Sequence, residues 1–145
     1  MERINVVVGL VVLGFVAAHE IPAQDVKTEL EGSWDLIGFE KDGKKVQDPK
    51  SAKLTVKGAT FVVSSGDKII AGGTSKLNTK KTPKEIDAMY TEGADKGKSY
   101  KGIYKLEGDT LTFCRAGAPE QERPSEFKTK AGSGMFVSVY KRAKQ

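Results

Sequence analysis

Side chains able to do nucleophilic or metal chemistry are scarce in this sequence. His19 is the only histidine, and Cys114 is the only cysteine. Nucleophilic catalysis needs a base within reach of the nucleophile, and a structural zinc site needs about four nitrogen or sulfur ligands. One histidine and one cysteine supply neither arrangement. We therefore expect no catalytic residues, no metal and no cofactor.

The remaining candidates for chemistry are paired carboxylates and glycine-rich segments. Glu85 and Asp87 share one face of a candidate strand, without the spacing of a calcium-binding loop or the surroundings of a glycosidase pair. Gly72-Gly73 and Gly132-Ser133-Gly134 lack the lysine and the following helix of a phosphate-binding loop. We interpret the carboxylates as a solvated strand face and the glycines as turns, and we predict that the protein is not an enzyme.

Cys114 ends the run TLTFC, and Arg115 is the cation next to it. Because successive side chains of a strand point to opposite faces, Arg115 is poorly placed to lower the pKa of this thiol. We predict a buried, unreactive cysteine. The alternative is a disulfide to another molecule, since one cysteine cannot form an internal bridge.

The beginning of the chain predicts export. Residues 6–18 form a run of thirteen residues without a charge, preceded by Arg3. A helix needs about 20 apolar residues to span a bilayer, so this run fits the core of a signal peptide instead. We expect a signal peptide at 1–18, with cleavage after Ala23 as an alternative, then a polar segment at 19–28 and one domain at 29–142. The mature protein would be periplasmic or extracellular, with no integral membrane segment.

The charge of the chain indicates a solvated surface. The net charge is +5, but only four of the 24 basic residues are arginine. Lysine suits exposed surfaces, whereas arginine is the usual residue for bidentate contact with phosphates and bases. We expect no nucleic-acid partner, and we expect a monomer.

Short apolar runs separated by Gly, Asp and Asn predict an all-β fold. The candidate strands are 34–39, 54–56, 60–64, 68–71 with an extension to 77, 85–90, 99–106, 110–114 and 135–140. Regular spacing of this kind is typical of antiparallel sandwiches and barrels. We expect a single antiparallel up-and-down β-barrel of about eight strands, because closing the sheet removes its exposed edges.

The interior of such a barrel would hold most of the aromatic residues. In the strand at 99–106, Tyr100, Tyr104 and Leu106 fall on one face, while Lys101 and Lys105 fall on the other. The residues that we expect to line the barrel are Trp34, Leu36, Phe61, Tyr90, Tyr100, Tyr104 and Phe113. They would either surround a ligand cavity or simply fill the core of a small domain.

The long connection before the last strand carries Arg123 and Phe127. On a loop, these two residues are candidates for contact with another protein. They are equally consistent with a lid packed over one end of the barrel.

Three segments in order resemble a known family. Gly32-Ser33-Trp34 begins the first strand and Lys141-Arg142 ends the last, which resembles the lipocalin superfamily. The segments LEGSWDLIGFEKDGKKV, TEGADKGKSYKGIYKLEGDTLTFC and ERPSEFKTKAGSG are similar to short secreted lipocalin-like domains of unknown function, abundant in planctomycete bacteria. The resemblance implies a lipocalin-like barrel in which Lys141 or Arg142 stacks on Trp34 at the closed end. It implies no particular activity.

Two functions are compatible with these observations. The first is an exported, non-enzymatic binding module for a small apolar or amphipathic ligand. The second is an interaction or inhibitor domain of the cell envelope, which would act on an envelope protein through its loops and have a filled core.

Overall fold

The computed structural model describes residues 28–46 and 51–144 as nine β-strands joined by turns and loops. The strands are β1 (Gly32–Lys41), β2 (Lys44–Lys45), β3 (Lys53–Lys57), β4 (Thr60–Ser65), β5 (Lys68–Asn78), β6 (Lys84–Gly93), β7 (Ser99–Glu107), β8 (Thr110–Arg115) and β9 (Phe136–Arg142). The predicted signal peptide and residues 19–27 of the predicted polar segment lie outside the described residues.

Eight of these strands form a closed antiparallel barrel. Each strand from β3 to β8 pairs with the next along the chain, and β1 pairs with both β3 and β9. The ninth, β2, is a two-residue strand paired with the end of β1. The prediction of an all-β, up-and-down barrel of about eight strands is confirmed.

The observed strands follow the predicted pattern with two differences. The predicted extension beyond residue 71 is confirmed, since β5 runs to Asn78, and Gly72-Gly73 therefore lie within a strand and not in the predicted turn. The two-residue strand β2 is not among the predicted strands. Among the described residues there is no helix long and apolar enough to cross a membrane.

One end of the barrel is closed around Trp34, which is fully buried. Its indole Nε1 donates a hydrogen bond to the carbonyl oxygen of Leu30 at 2.9 Å. The guanidinium carbon of Arg142 lies 4.1 Å from the ring centroid of Trp34, whereas Lys141 is exposed. Gly32 has a φ of +123°, and a Cβ there would lie 3.3 Å from Arg142 Nη1. Arg142 is therefore the cation that stacks on the tryptophan.

The connection at 116–135 packs against the outer wall of the barrel. Ile103, Cys114 and Val137 form a buried cluster on this wall, and Phe127 and Met135 pack over them. We call the connection the strap. One interpretation of this connection from the sequence was a lid over one end of the barrel. The strap is not such a lid, because Phe127 covers apolar side chains on the wall. The expectation of a buried Cys114 is confirmed.

Arg123 fastens the strap to strands β6 and β7. Its guanidinium contacts Glu85 Oε2 at 2.9 Å and Asp87 Oδ1 at 2.7 Å. It also donates hydrogen bonds to the carbonyl oxygens of Ile86 and Gly102. Glu85 and Asp87 thus bind Arg123. The interpretation of this face as solvated holds for Asp87, which is exposed, whereas Glu85 is partly covered by the strap.

Candidate functional site

The interior of the barrel holds a cavity of about 290 Å³. Its wall is mostly apolar and is formed by alternate residues of the strands, among them Leu54, Val56, Val63, Ile86, Ala88 and Tyr140. Alternation places these side chains inside because every second residue of a strand faces the barrel axis. Small-ligand sites commonly have volumes of about 300–1,000 Å³, so this cavity lies at the lower end of that range.

The cavity reaches the surface at the end opposite Trp34. Ile70, which is 43% exposed, and Asp95, in the turn between β6 and β7, both contribute to its wall. Phe39 and Phe136 lie at the same end and pack together, with 5.4 Å between ring centroids. We call this end the mouth.

Five of the seven residues predicted to line the barrel form part of the cavity wall: Leu36, Phe61, Tyr90, Tyr100 and Phe113. Trp34 and Tyr104 are fully buried and belong to the packed layer at the closed end. The two alternatives considered for these aromatics therefore each hold for part of the set. Residues near the mouth surround a space, and those near Trp34 fill the core.

The closed end is completed by a polar cluster around Glu29. The Tyr104 hydroxyl donates to Glu29 Oε1 at 2.8 Å, and Lys84 Nζ contacts the same carboxylate at 2.8 Å. The hydrogen bond from Lys84 is the largest cause that lowers the pKa of Glu29, while burial opposes it. Burial and the bond to Glu29 raise the pKa of Tyr104, so its hydroxyl stays protonated as a donor.

The mouth carries one arginine among aromatic rings. The Arg115 guanidinium carbon lies 3.8 Å from the ring centroid of Tyr100, 4.3 Å from that of Phe136 and 5.3 Å from that of Tyr90. A cation over an aromatic face is stabilised by about 0.5–2 kcal/mol, most when water is excluded. The Arg115 side chain is only 14% exposed, so these contacts stabilise a charged group that is largely shielded from water.

Asp95 is the ionic partner of Arg115. Its Oδ2 accepts a hydrogen bond from Arg115 Nη1 at 3.2 Å, and its Oδ1 accepts one from the Tyr100 hydroxyl at 2.8 Å. Burial acts to raise the pKa of Asp95, but the bonds from Tyr100 and Arg115 outweigh it and the pKa is lowered. Both carboxylate oxygens are thus engaged, and the group is a carboxylate at neutral pH.

Arg115 retains an unused donor. Its Nε atom is buried and has no hydrogen-bond partner among the described residues. A buried donor without an acceptor costs about 1–3 kcal/mol, and more when the group is charged. This atom belongs to a residue of the cavity wall, and it is the one buried side-chain nitrogen or oxygen in this part of the chain that lacks a partner.

Sequence reasoning considered Arg115 only as a neighbour of Cys114 and missed it as part of the cavity. The sequence contained this information, because Leu111, Phe113 and Arg115 follow one another at every second position and so share one face of β8. The same alternation directs Cys114 outward, under the strap. Burial there raises the pKa of the Cys114 thiol to about 11.

Comparisons with models of protein families, with curated proteins and with solved structures gave no match to this chain. The fold is therefore established by its own strand pairing. Membership of the lipocalin-like family from planctomycetes stays a prediction from the three segments that resemble it. Within residues 28–46 and 51–144, no three His, Cys, Asp or Glu side chains form a group able to hold a metal ion.

Proposed function

We propose that this protein is an exported, non-enzymatic binding module that holds a small apolar or amphipathic ligand inside its barrel. The observation that carries the proposal is the apolar cavity of about 290 Å³, which reaches the surface at one end. A cavity of this size with an apolar wall favours a small ligand with an apolar part, because contact between the two removes apolar surface from water. Export rests on residues 6–18, which have the length and composition of a signal peptide.

The uneven packing of the interior supports this function over that of a barrel with a filled core. Trp34 and Tyr104 are fully buried and are not part of the cavity wall, so the closed end of the barrel is packed around them. Towards the mouth, small residues such as Ala88, Gly102 and Ser138 face the interior and leave the space between the aromatic rings. The same domain thus combines a packed closed end with a cavity that opens at the mouth.

The alternative, an envelope interaction domain acting through its loops, receives less support. It relied on Arg123 and Phe127 as contact residues and on a filled core. Arg123 makes two ion pairs and two hydrogen bonds within the chain. Phe127 packs on the wall cluster and under Lys105, whose Nζ lies 4.9 Å from its ring centroid. Both side chains therefore have partners in the domain itself.

Native mass spectrometry tests the proposed function. The mature protein is purified without detergent from the cells that produce it, and its mass is recorded before and after extraction with organic solvent. We expect an additional mass that disappears on extraction and can be identified in the organic phase. If the protein carries no extractable molecule and the extracted protein binds no apolar probe, the proposal is wrong.

A further inference from the structure

We infer that the ligand is a single-chain amphiphile with a carboxylate head, and that its head binds Arg115 while its chain occupies the barrel. The inference rests on the proposed function and names the ligand class for the same cavity. Three features of the mouth carry it: the unused Nε donor of Arg115, the pairing of Asp95 with Arg115 and Tyr100, and the arrangement of the apolar wall.

The first feature is the geometry of the guanidinium. Asp95 accepts from Nη1, whereas Nε is buried without a partner among the described residues. Rings of Tyr100 and Phe136 lie close to the guanidinium, so a further ligand approaches along an edge of the guanidinium plane. An edge of guanidinium that includes Nε offers parallel N–H donors to the two oxygens of a carboxylate.

The second feature decides the sign of the head group. Asp95 could attract a cation, but its two oxygens already accept from Tyr100 and Arg115, and its pKa is lowered. The mouth therefore has a donor that lacks an acceptor, and its carboxylate is already bonded at both oxygens. A ligand that brings acceptor oxygens satisfies Nε, whereas a cationic head would bind beside the positive charge of Arg115, at a carboxylate that already pairs with Arg115.

The third feature sets the length and direction of the rest of the ligand. Arg115 ends β8 at the mouth, and the wall beyond it runs inward through Phe113, Phe61 and Leu54. A volume of about 290 Å³ at the lower end of the range for ligand sites favours one chain over two. A head at Arg115 therefore leaves the chain to run from the mouth towards the closed end.

Three ten-carbon probes test the head group on the delipidated mature protein: decanoate, decanol and decyltrimethylammonium, each below its micelle concentration. Binding is measured by isothermal titration calorimetry at pH 7.5. A charged hydrogen bond in a dry site favours decanoate over decanol by about tenfold or more. The cationic probe should bind more weakly than decanol.

Variants assign the preference to Arg115. Arg115→Gln should abolish the preference for decanoate over decanol, and Arg115→Lys should lose most of it, because a lysine keeps the charge without the planar fork. Lys101→Gln removes one positive charge from the exposed outer face of β7 and should leave the preference within about threefold. If Arg115→Gln does not fold, the comparison of the three probes on the wild type still decides the sign of the head group.

The outcomes separate this inference from the proposed function. Equal affinity for decanoate and decanol would retain the cavity as a binding site and overturn the role of Arg115. Tightest binding of the cationic probe would assign the head group to Asp95 and also overturn it. Absence of binding by all three probes would contradict both the inference and the proposed function.

Discussion

At the scale of single residues, the closed end of the barrel depends on Arg142. Its guanidinium stacks on Trp34, donates to the Glu31 carbonyl oxygen at 3.1 Å and lies 3.5 Å from Asp109. We expect Arg142→Ala to lower the free energy of unfolding by about 2 kcal/mol, because a partly exposed cation–π contact and a charged hydrogen bond are both lost. Urea denaturation followed by tryptophan fluorescence measures the change.

The neighbouring residue supplies the control for this prediction. Lys141 is exposed and carries the same charge, so Lys141→Ala should change the free energy of unfolding by less than about 0.5 kcal/mol. Similar losses in the two variants would show that net charge at this end matters, and not the stack on Trp34.

Protonation of Glu29 makes the stability of the closed end depend on pH. Its pKa is lowered chiefly by the hydrogen bond from Lys84, so the folded state binds this proton less readily than the unfolded chain. The stabilisation is present above the unfolded pKa near 4.5 and is lost as the pH falls through the lower folded pKa. We expect the wild type to lose more stability than Glu29→Gln between about pH 6 and about pH 3 in urea titrations. Equal losses would exclude Glu29 as a source of the acid sensitivity.

At the scale of elements, the strap protects the outer wall of β7, β8 and β9. The reactivity of Cys114 measures this protection, because the chain has one cysteine and burial raises the pKa of its thiol to about 11. We expect alkylation of the native protein at about pH 8 to be about a hundredfold slower than that of the unfolded protein. Arg123→Ala should accelerate this labelling several-fold, since the strap loses its contacts with Glu85 and Asp87.

An exposed residue of the same connection gives the matched control. Glu126→Ala removes a charge from the strap without removing any of the contacts that hold it, and should leave the labelling rate unchanged. A labelling rate that is the same in wild type and Arg123→Ala would mean that Cys114 is exposed by global unfolding alone, and that Arg123 does not hold the strap in place.

The elements differ in how well their sequences predict them. Strands such as β7 and β8 were predictable because alternation and the Gly108 turn act over a few residues. The strap was not, since it has no periodicity and its place depends on contacts with distant strands. Ile103 was the one local sign of it, as an apolar residue on a face otherwise occupied by Lys101 and Lys105.

At the scale of the whole molecule, closure of the sheet leaves only the two-residue β2 as an added strand, so pairing edges are nearly absent from the described barrel. The existence of this barrel could be predicted from the spacing of turns. The volume of its cavity could not, because it depends on which small residues face which rings across the interior. Ala88, for example, gains its importance from facing a space bounded by other strands.

A larger side chain inside the cavity should fill it and weaken the binding of a ligand. Ala88→Leu places three more carbon atoms on a wall residue of the cavity. In a well-packed core such a change costs about 1–3 kcal/mol, but here the added atoms enter unfilled volume. We expect the free energy of unfolding of the ligand-free protein to fall by less than about 1 kcal/mol, while affinity for decanol falls about tenfold or more.

Met89→Leu is the matched control, because Met89 is the next residue of β6 and is 54% exposed on the outer face. It should bind decanol as the wild type does. Unchanged decanol affinity in Ala88→Leu would place the binding site outside the barrel. A loss of more than about 3 kcal/mol of stability would show instead that the interior is already filled around Ala88, because only a packed wall resists added atoms so strongly.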